Sequence, residues 1–332
     1  MSGLKKSAFT VLICLLQVVI HAPSTFAQKG NLTTIDPPGS VLSRAFGINS
    51  RGDIVGLYIT SDGRTHGFMR SNSGWLTLDA PASIRTNAIA INPQGQIVGR
   101  YDTREGAASV AHGYIYTDGY FQTVDHPLAA GFTVVTDITP SGAIVGRYQA
   151  ADKSIHGFSL TNTQQCLAEL QECEWTTIDH LDADGNPDMG PMGIQAMAMN
   201  PDGMIAGYYH DKNKVFHAFL LDNGVYTTVD PPDAANTGGS GGVVHISPDG
   251  VVAGGSYARA ADVPGAGHGF MYRDGIFITF DFPDPADAKG KAQVTSICGI
   301  NPQGDVVGMY VDHENVTHGY LAPHGTIRPA TE

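Results

Sequence analysis

The chain repeats itself, and that self-similarity constrains its fold more than any other feature. A block running Ala45-Phe-Gly-Ile-Asn-Ser-Arg-Gly-Asp-Ile-Val-Gly-Leu-Tyr58 returns as AIAINPQGQIVGRY (88–101), VTDITPSGAIVGRY (135–148), AMAMNPDGMIAGYY (196–209), VVHISPDGVVAGGSY (243–257) and ICGINPQGDVVGMY (297–310). The anchor residues Asn49, Asn92, Thr139, Asn200, Ser247 and Asn301 are 43, 47, 61, 47 and 54 residues apart. That period suits one four-stranded propeller blade per repeat, lengthened by insertions.

Each repeat divides into four strand-like runs. Run A is apolar (Ala88–Ile91) and stops at Asn-Pro-Gln-Gly, a tight turn set by Pro and Gly. Run B is Ile97–Tyr101, and run C opens on a histidine (His112-Gly-Tyr-Ile-Tyr116). A Thr-Asp-Gly hairpin turn leads to run D, Tyr120–Asp125, rich in aromatic and β-branched residues. The sixth repeat lacks a run D, whereas Leu32-Thr-Thr-Ile-Asp36-Pro-Pro near the other end matches Tyr226-Thr-Thr-Val-Asp230-Pro-Pro. The expected fold is therefore all-β: a six-bladed β-propeller of four-stranded blades, with the N-terminal strand completing the last blade. An open β-solenoid is the competing architecture. Closure of the ring would leave only short, protected sheet edges.

The G-I-N-x-x-G-x-I-V-G core, followed by a word of the form H-[AG]-[FY] (His217-Ala218-Phe219 in the fourth repeat), resembles the extracellular repeat family called HAF. The resemblance covers about residues 31 to 325 and implies a bacterial exported repeat protein. It brings no reaction and no ligand, so no catalytic residue is carried over. The fifth repeat departs from the pattern, with His245 on run A and Gly-Gly-Ser before Tyr257.

The start of the chain reads as an export signal. Lys5 and Lys6 precede an apolar run from Ala8 to Ile20, and Thr25 and Ala27 suit cleavage after Ala27. The run is too short to span a bilayer. The expected layout is a signal peptide (1–27), one propeller domain (28–325) and a polar tail (326–332), secreted or periplasmic and monomeric. The whole chain carries −13, and losing Lys5 and Lys6 leaves −15. Such a balance argues against nucleic acid, which needs clustered Lys and Arg, and leaves a small molecule, a glycan or a protein as partner. Cys166 and Cys173, in one insertion of an exported chain, are expected to form a disulfide. Cys298 reads as a buried core thiol.

Six histidines recur at matched positions: His66, His112, His156, His217, His268 and His318. Run C would lie about 10 Å outside the innermost strand, too far for six rings to converge on one metal. They are expected to be structural, each hydrogen-bonded to the run-D aspartate or run-B tyrosine of its own blade.

Function is expected where the repeats differ. The variable B–C and D–A links share one rim, and the residues entering run A would line the central mouth there. Arg44, Arg85, Asn87 and Gln195 are candidate ligand-binding residues, and His245 with Asp137 a candidate acid–base pair. The leading reading is a binding or interaction module with a ligand at that loop-rich mouth. A secreted lyase or hydrolase on a sugar- or lactone-type substrate is one alternative, and a structural cell-envelope protein another. No cofactor is implied apart from calcium, for which Asp182, Asp184 and Asp188 offer oxygen ligands without the glutamate of a twelve-residue calcium loop. An ordinary turn is the competing reading of that loop.

Overall fold

The computed structural model describes residues 32–161, 163, 166, 173–179, 194–211, 215–232, 234, 244–259, 266–284, 286 and 290–327. The expected export signal, the candidate calcium loop with Asp182, Asp184 and Asp188, and most of the cysteine insertion lie outside these residues.

The described residues form an all-β propeller. Repeat one supplies β2 (Ser40–Ile48), β3 (Ile54–Thr60), β4 (Thr65–Ser71) and β5 (Gly74–Leu78). Repeat two supplies β6 (Arg85–Ile91), β7 (Ile97–Glu105), β8 (Ala108–Thr117) and β9 (Tyr120–Val124). These two groups join into one eight-stranded sheet through a single parallel bridge, Thr65 to Arg85. Repeats three to five give three separate four-stranded sheets. They are β10 (Thr133–Ile138) to β13 (Trp175–Ile178), β14 (Ile194–Met199) to β17 (Val225–Thr228), and β18 (His245–Ile246) to β21 (Ile276–Phe280). In the last sheet, β22 (Val294–Ile300), β23 (Val306–Val311) and β24 (Thr317–Ala322) take β1 (Thr33–Ile35) as their fourth strand, with Thr34 opposite Tyr320. The N-terminal strand thus stands where run D of the sixth repeat is missing. At the other end, Thr326 is buried and Ile327 packs on the core.

The repeat words are now legible as packing. The glycine of I-V-G sits beneath the aromatic of H-G-[FY]: a Cβ on Gly56 would stand 2.0 Å from the Arg44 carbonyl and 2.7 Å from the Phe68 ring. The glycine of H-G-F admits the neighbouring sheet, since a Cβ on Gly67 would stand 2.8 Å from the Leu78 carbonyl and 3.4 Å from the Ala88 nitrogen. The core therefore lies in the seams. Ile35 and Val307 of the closing sheet pack with Ile54 and Phe68 of repeat one, and Val98 of repeat two packs with Val135 and Phe158 of repeat three. The aromatic is nearly inaccessible in each case, at 1% exposure for Phe68 and 0% for Tyr114.

All six repeat histidines pair with the aspartate of their own sheet. Each Nδ1 donates to the carboxylate, at 2.9 Å (His66–Asp79), 2.8 Å (His112–Asp125), 2.7 Å (His156–Asp179), 2.6 Å (His217–Asp230), 2.5 Å (His268–Asp281) and 2.8 Å (His318–Asp36). The last pair crosses from β24 to the residue after β1, so it also ties the closure. The hydrogen bond to Asp230 is the main cause that holds the His217 pKa above its ordinary value. The run-B tyrosine stacks on the histidine ring in five repeats, with centroids 5.1 Å apart in Tyr58–His66, and is tilted by 54° in Tyr257–His268. Its hydroxyl reaches a run-D threonine, at 3.0 Å in Tyr58–Thr77 and 2.7 Å in Tyr101–Thr123. Cys166 and Cys173 form a disulfide, and Cys298 is a buried thiol whose burial pushes its pKa up to about 11.

Candidate functional site

The anchor residues gather at one end of the molecule. In each A–B turn the anchor side chain folds back on its own backbone: Asn49 Oδ1 accepts from the Arg51 and Asp53 amides at 2.9 and 3.0 Å. This frees the amide group to cross to the next sheet. Asn301 Nδ2 donates to the Asn49 carbonyl, Asn49 Nδ2 to the Asn92 carbonyl and Asn92 Nδ2 to the Thr139 carbonyl, each at 3.3 Å. A chain of inter-sheet hydrogen bonds therefore runs around the axis at the turn end. Thr139 and Ser247 have no amide to continue it.

Inside that ring is a cavity of about 80 Å³, lined by backbone and side chains from all six repeats, among them Asn49, Asn92, Asp137, Met199, His245 and Ile300. The column two residues before each anchor is the informative one. It reads Gly47, Ala90, Asp137, Ala198, His245 and Gly299. At the first and last of these the seam is closed on glycine: a Cβ would stand 2.9 Å from the Ile89 carbonyl at Gly47 and 2.6 Å from the Phe46 carbonyl at Gly299. Repeats three and five instead place a carboxylate and an imidazole at this depth.

Asp137 is partly buried and anchored by two amides, with Oδ1 accepting from Ile138 at 2.8 Å and Oδ2 from Met199 of the next sheet at 3.0 Å. Burial raises its pKa, against the pull of His245 and of those two amides. His245 is buried, its pKa is lowered by burial against the pull of Asp137, and its Nε2 makes no hydrogen bond. The two side chains make no direct hydrogen bond or ion pair. They line the same cavity and act on each other through it.

This corrects the expected position of the site. Asp137 and His245 were placed at the loop-rich mouth, but they stand at the opposite, turn end of the channel. Run A starts at the loop-rich rim and crosses the molecule, so residues two before the anchor finish near the turns. Arg44 and Asn87, five before it, lie about 10 Å nearer the other rim, and Arg85 about 17 Å nearer, at about 3.3 Å per residue. The expected single cluster is therefore two. Arg85 engages Asp102, and the Arg44 Nε is buried without a hydrogen bond. Gln195 lies on β14, opposite Tyr208. The flanking loop with Asp182, Asp184 and Asp188 is outside the described residues, and no group of three His, Cys, Asp or Glu side chains among the described residues is arranged to hold a metal ion. Sequence reasoning missed the Arg100–Asp102 pair; the signal was that Asp102 stands where Ile59, Gln149 and Val311 stand in other repeats.

No family model matches the chain, and no curated protein matches it in sequence. Solved structures do match in shape. AofleA from Arthrobotrys oligospora is 14% identical, with 90% of this chain and 87% of that chain covered and a TM-score of 0.53. A variant of the Aleuria aurantia lectin in complex with alpha-methyl-L-fucoside is 11% identical, with 90% and 98% covered and a TM-score of 0.50. At these identities the shared property is the propeller fold.

Proposed function

We propose that this protein is an exported, six-bladed propeller that binds a ligand in the axial cavity at the turn end, with a glycan as the first class to test. The eight-stranded sheet counts as two blades held by one bridge, which brings the blades to the number of sequence repeats. The export signal expected at 1–27 and the resemblance to the HAF repeat support a location outside the cytoplasm, where a disulfide such as Cys166–Cys173 persists. One observation carries the reading: the column two residues before the anchor is small or glycine in four repeats and polar only at Asp137 and His245, both of which line the cavity. A repeat scaffold has no packing need for an imidazole with an unpartnered Nε2, and buried polar atoms are normally hydrogen-bonded. A hydroxyl entering the cavity supplies that partner. The sugar complex of the Aleuria aurantia lectin, on a propeller of similar shape, makes saccharides the natural probe.

The test is calorimetry of the mature protein against a panel of mono- and disaccharides. His245→Ala and Asp137→Asn should each weaken binding by about tenfold or more, about 1.4 kcal/mol, with the far-UV spectrum unchanged. A ligand bound equally by the wild type and both variants rejects the axial site. An enzyme at the same cavity is the second reading, favoured by a carboxylate with raised pKa facing an imidazole with lowered pKa. It requires turnover with a bell-shaped pH profile that His245→Ala abolishes.

A further inference from the structure

Among the described residues, repeat two is built unlike the others at the loop-rich rim. Its β7–β8 hairpin runs three residue pairs beyond the Asp102–Ala111 pair, through Thr103–Val110 and Arg104–Ser109 to Glu105–Ala108. At the base of this projecting hairpin lies a charged group. Arg85 pairs in register with Asp102, and Asn87 with Arg100, so all four side chains share one face of the sheet. That face turns to the neighbouring sheet, because a Cβ on Gly113, the register partner of Arg100, would meet Val135 and Thr133.

The charges there do not balance. Asp102 is 3% exposed and accepts from two guanidiniums: Arg100 Nε at 3.0 Å, Arg100 Nη2 at 2.8 and 2.9 Å, and Arg85 Nη2 at 2.5 Å. Among the described residues neither arginine has a second acid, so the group carries one excess positive charge in a chain whose net charge is −13. Arg147 of the next repeat acts on Arg100 as a further like charge. The Arg85 side chain is 42% exposed, yet its Nε is buried and makes no hydrogen bond. The other repeats carry Leu42, Phe132, Gly193, Ser240 and Val294 at the position of Arg85, so the fold does not require a cation there. Excess charge in a partly buried site is costly unless it meets a counter-charge, and a guanidinium fork matches a carboxylate in both charge and planarity.

We infer that Arg85, backed by Arg100 across Asp102, is a carboxylate-binding site on the loop-rich rim, separate from the axial cavity and at the other end of the channel. The ligand's carboxylate takes the edge of Arg85 that Asp102 does not engage, and the projecting hairpin of repeat two flanks it. The carboxylate can belong to a sugar acid or to a simple organic acid, and the two are separated by probe.

The experiment titrates the mature protein with D-glucuronate, with succinate and with D-glucose as the neutral control, at low ionic strength. At least one carboxylate should bind saturably and more weakly as salt rises, and D-glucose should not compete with it. Arg85→Ala should weaken that binding by about tenfold. Asp102→Asn removes the competing carboxylate and should strengthen it, an effect that a merely structural Asp102 would not produce; Arg85→Ala alone suffices if that variant does not fold. His245→Ala should leave carboxylate binding unchanged, which keeps this site's failure distinct from that of the axial site. The inference is overturned if neither carboxylate binds, or if Arg85→Ala binds as the wild type does.

Discussion

His126 shares its side chain with the six repeat histidines but not their surroundings. Each repeat histidine meets an aspartate, whereas His126 follows one, in the place that Phe282 takes in repeat five and Pro231 in repeat four. Its ring lies on Tyr148 with centroids 3.7 Å apart and meets the edge of Trp175 at 4.7 Å. Nδ1 accepts from the Leu128 amide at 3.2 Å, and Nε2 makes no hydrogen bond. Burial, aided by the charge of His156, lowers its pKa to about 4. The unfolded chain takes up the proton first, so stability is lost as pH falls from the ordinary imidazole value near 6.5 towards 4. Phe282 stacks on Tyr310 in the same way, at 3.9 Å, which shows that the site accepts a phenyl ring. His126→Phe should therefore raise the melting temperature at pH 5 by more than at pH 7.5. Equal shifts at both values would show that the imidazole is not the titrating group.

The A–B turn does two jobs with one residue type. The Asn-Pro-x-Gly words were readable as turns, because Asn and Gly have a local reason to be there. That the same asparagine also staples neighbouring sheets was not readable, since the acceptor carbonyl is 43 or more residues away. The repeats contain their own control: Ser247 keeps a turn acceptor, with Oγ accepting from the Val251 amide at 2.9 Å, but has no amide to donate. Asn92→Ser should then cost about 1 kcal/mol, the net worth of one hydrogen bond, and Asn92→Ala about 2 kcal/mol because the buried turn amides lose their acceptor as well. Urea denaturation of the two variants separates the contributions. A larger loss for serine than for alanine would contradict the double role.

Closure belongs to the molecule as a whole. β1 contributes only three residues, yet Ile35 is 1% exposed in the seam and Asp36 holds both His318 at 2.8 Å and the Ser43 hydroxyl at 2.5 Å. Without it the outer edge of β24 is a row of unpaired backbone groups, the template along which sheets of different molecules join. A chain beginning at Pro37 should lose its cooperative thermal transition and self-associate, as read by light scattering. A monomeric, cooperatively melting product would mean that the closing strand is dispensable.

Much of this architecture was legible in the one-dimensional pattern. Repeat length, turn words and the displaced run D pointed to a closed propeller, and the recurrence of histidine, tyrosine and aspartate to a histidine–aspartate or histidine–tyrosine contact in each blade. These features are periodic, and every blade but the closing one expresses them through contacts within a few tens of residues. The site was less legible for the opposite reason. Asp137 and His245 were picked out as departures from the repeat, but their place at the turn end depends on how far along strand A each falls. The seams make the other difference: Gly47 and Gly299 allow no side chain against the next sheet, whereas the positions of Asp137 and His245 do. Seam width arises from the packing of neighbouring sheets against one another, and so it was decided only when the sheets were assembled.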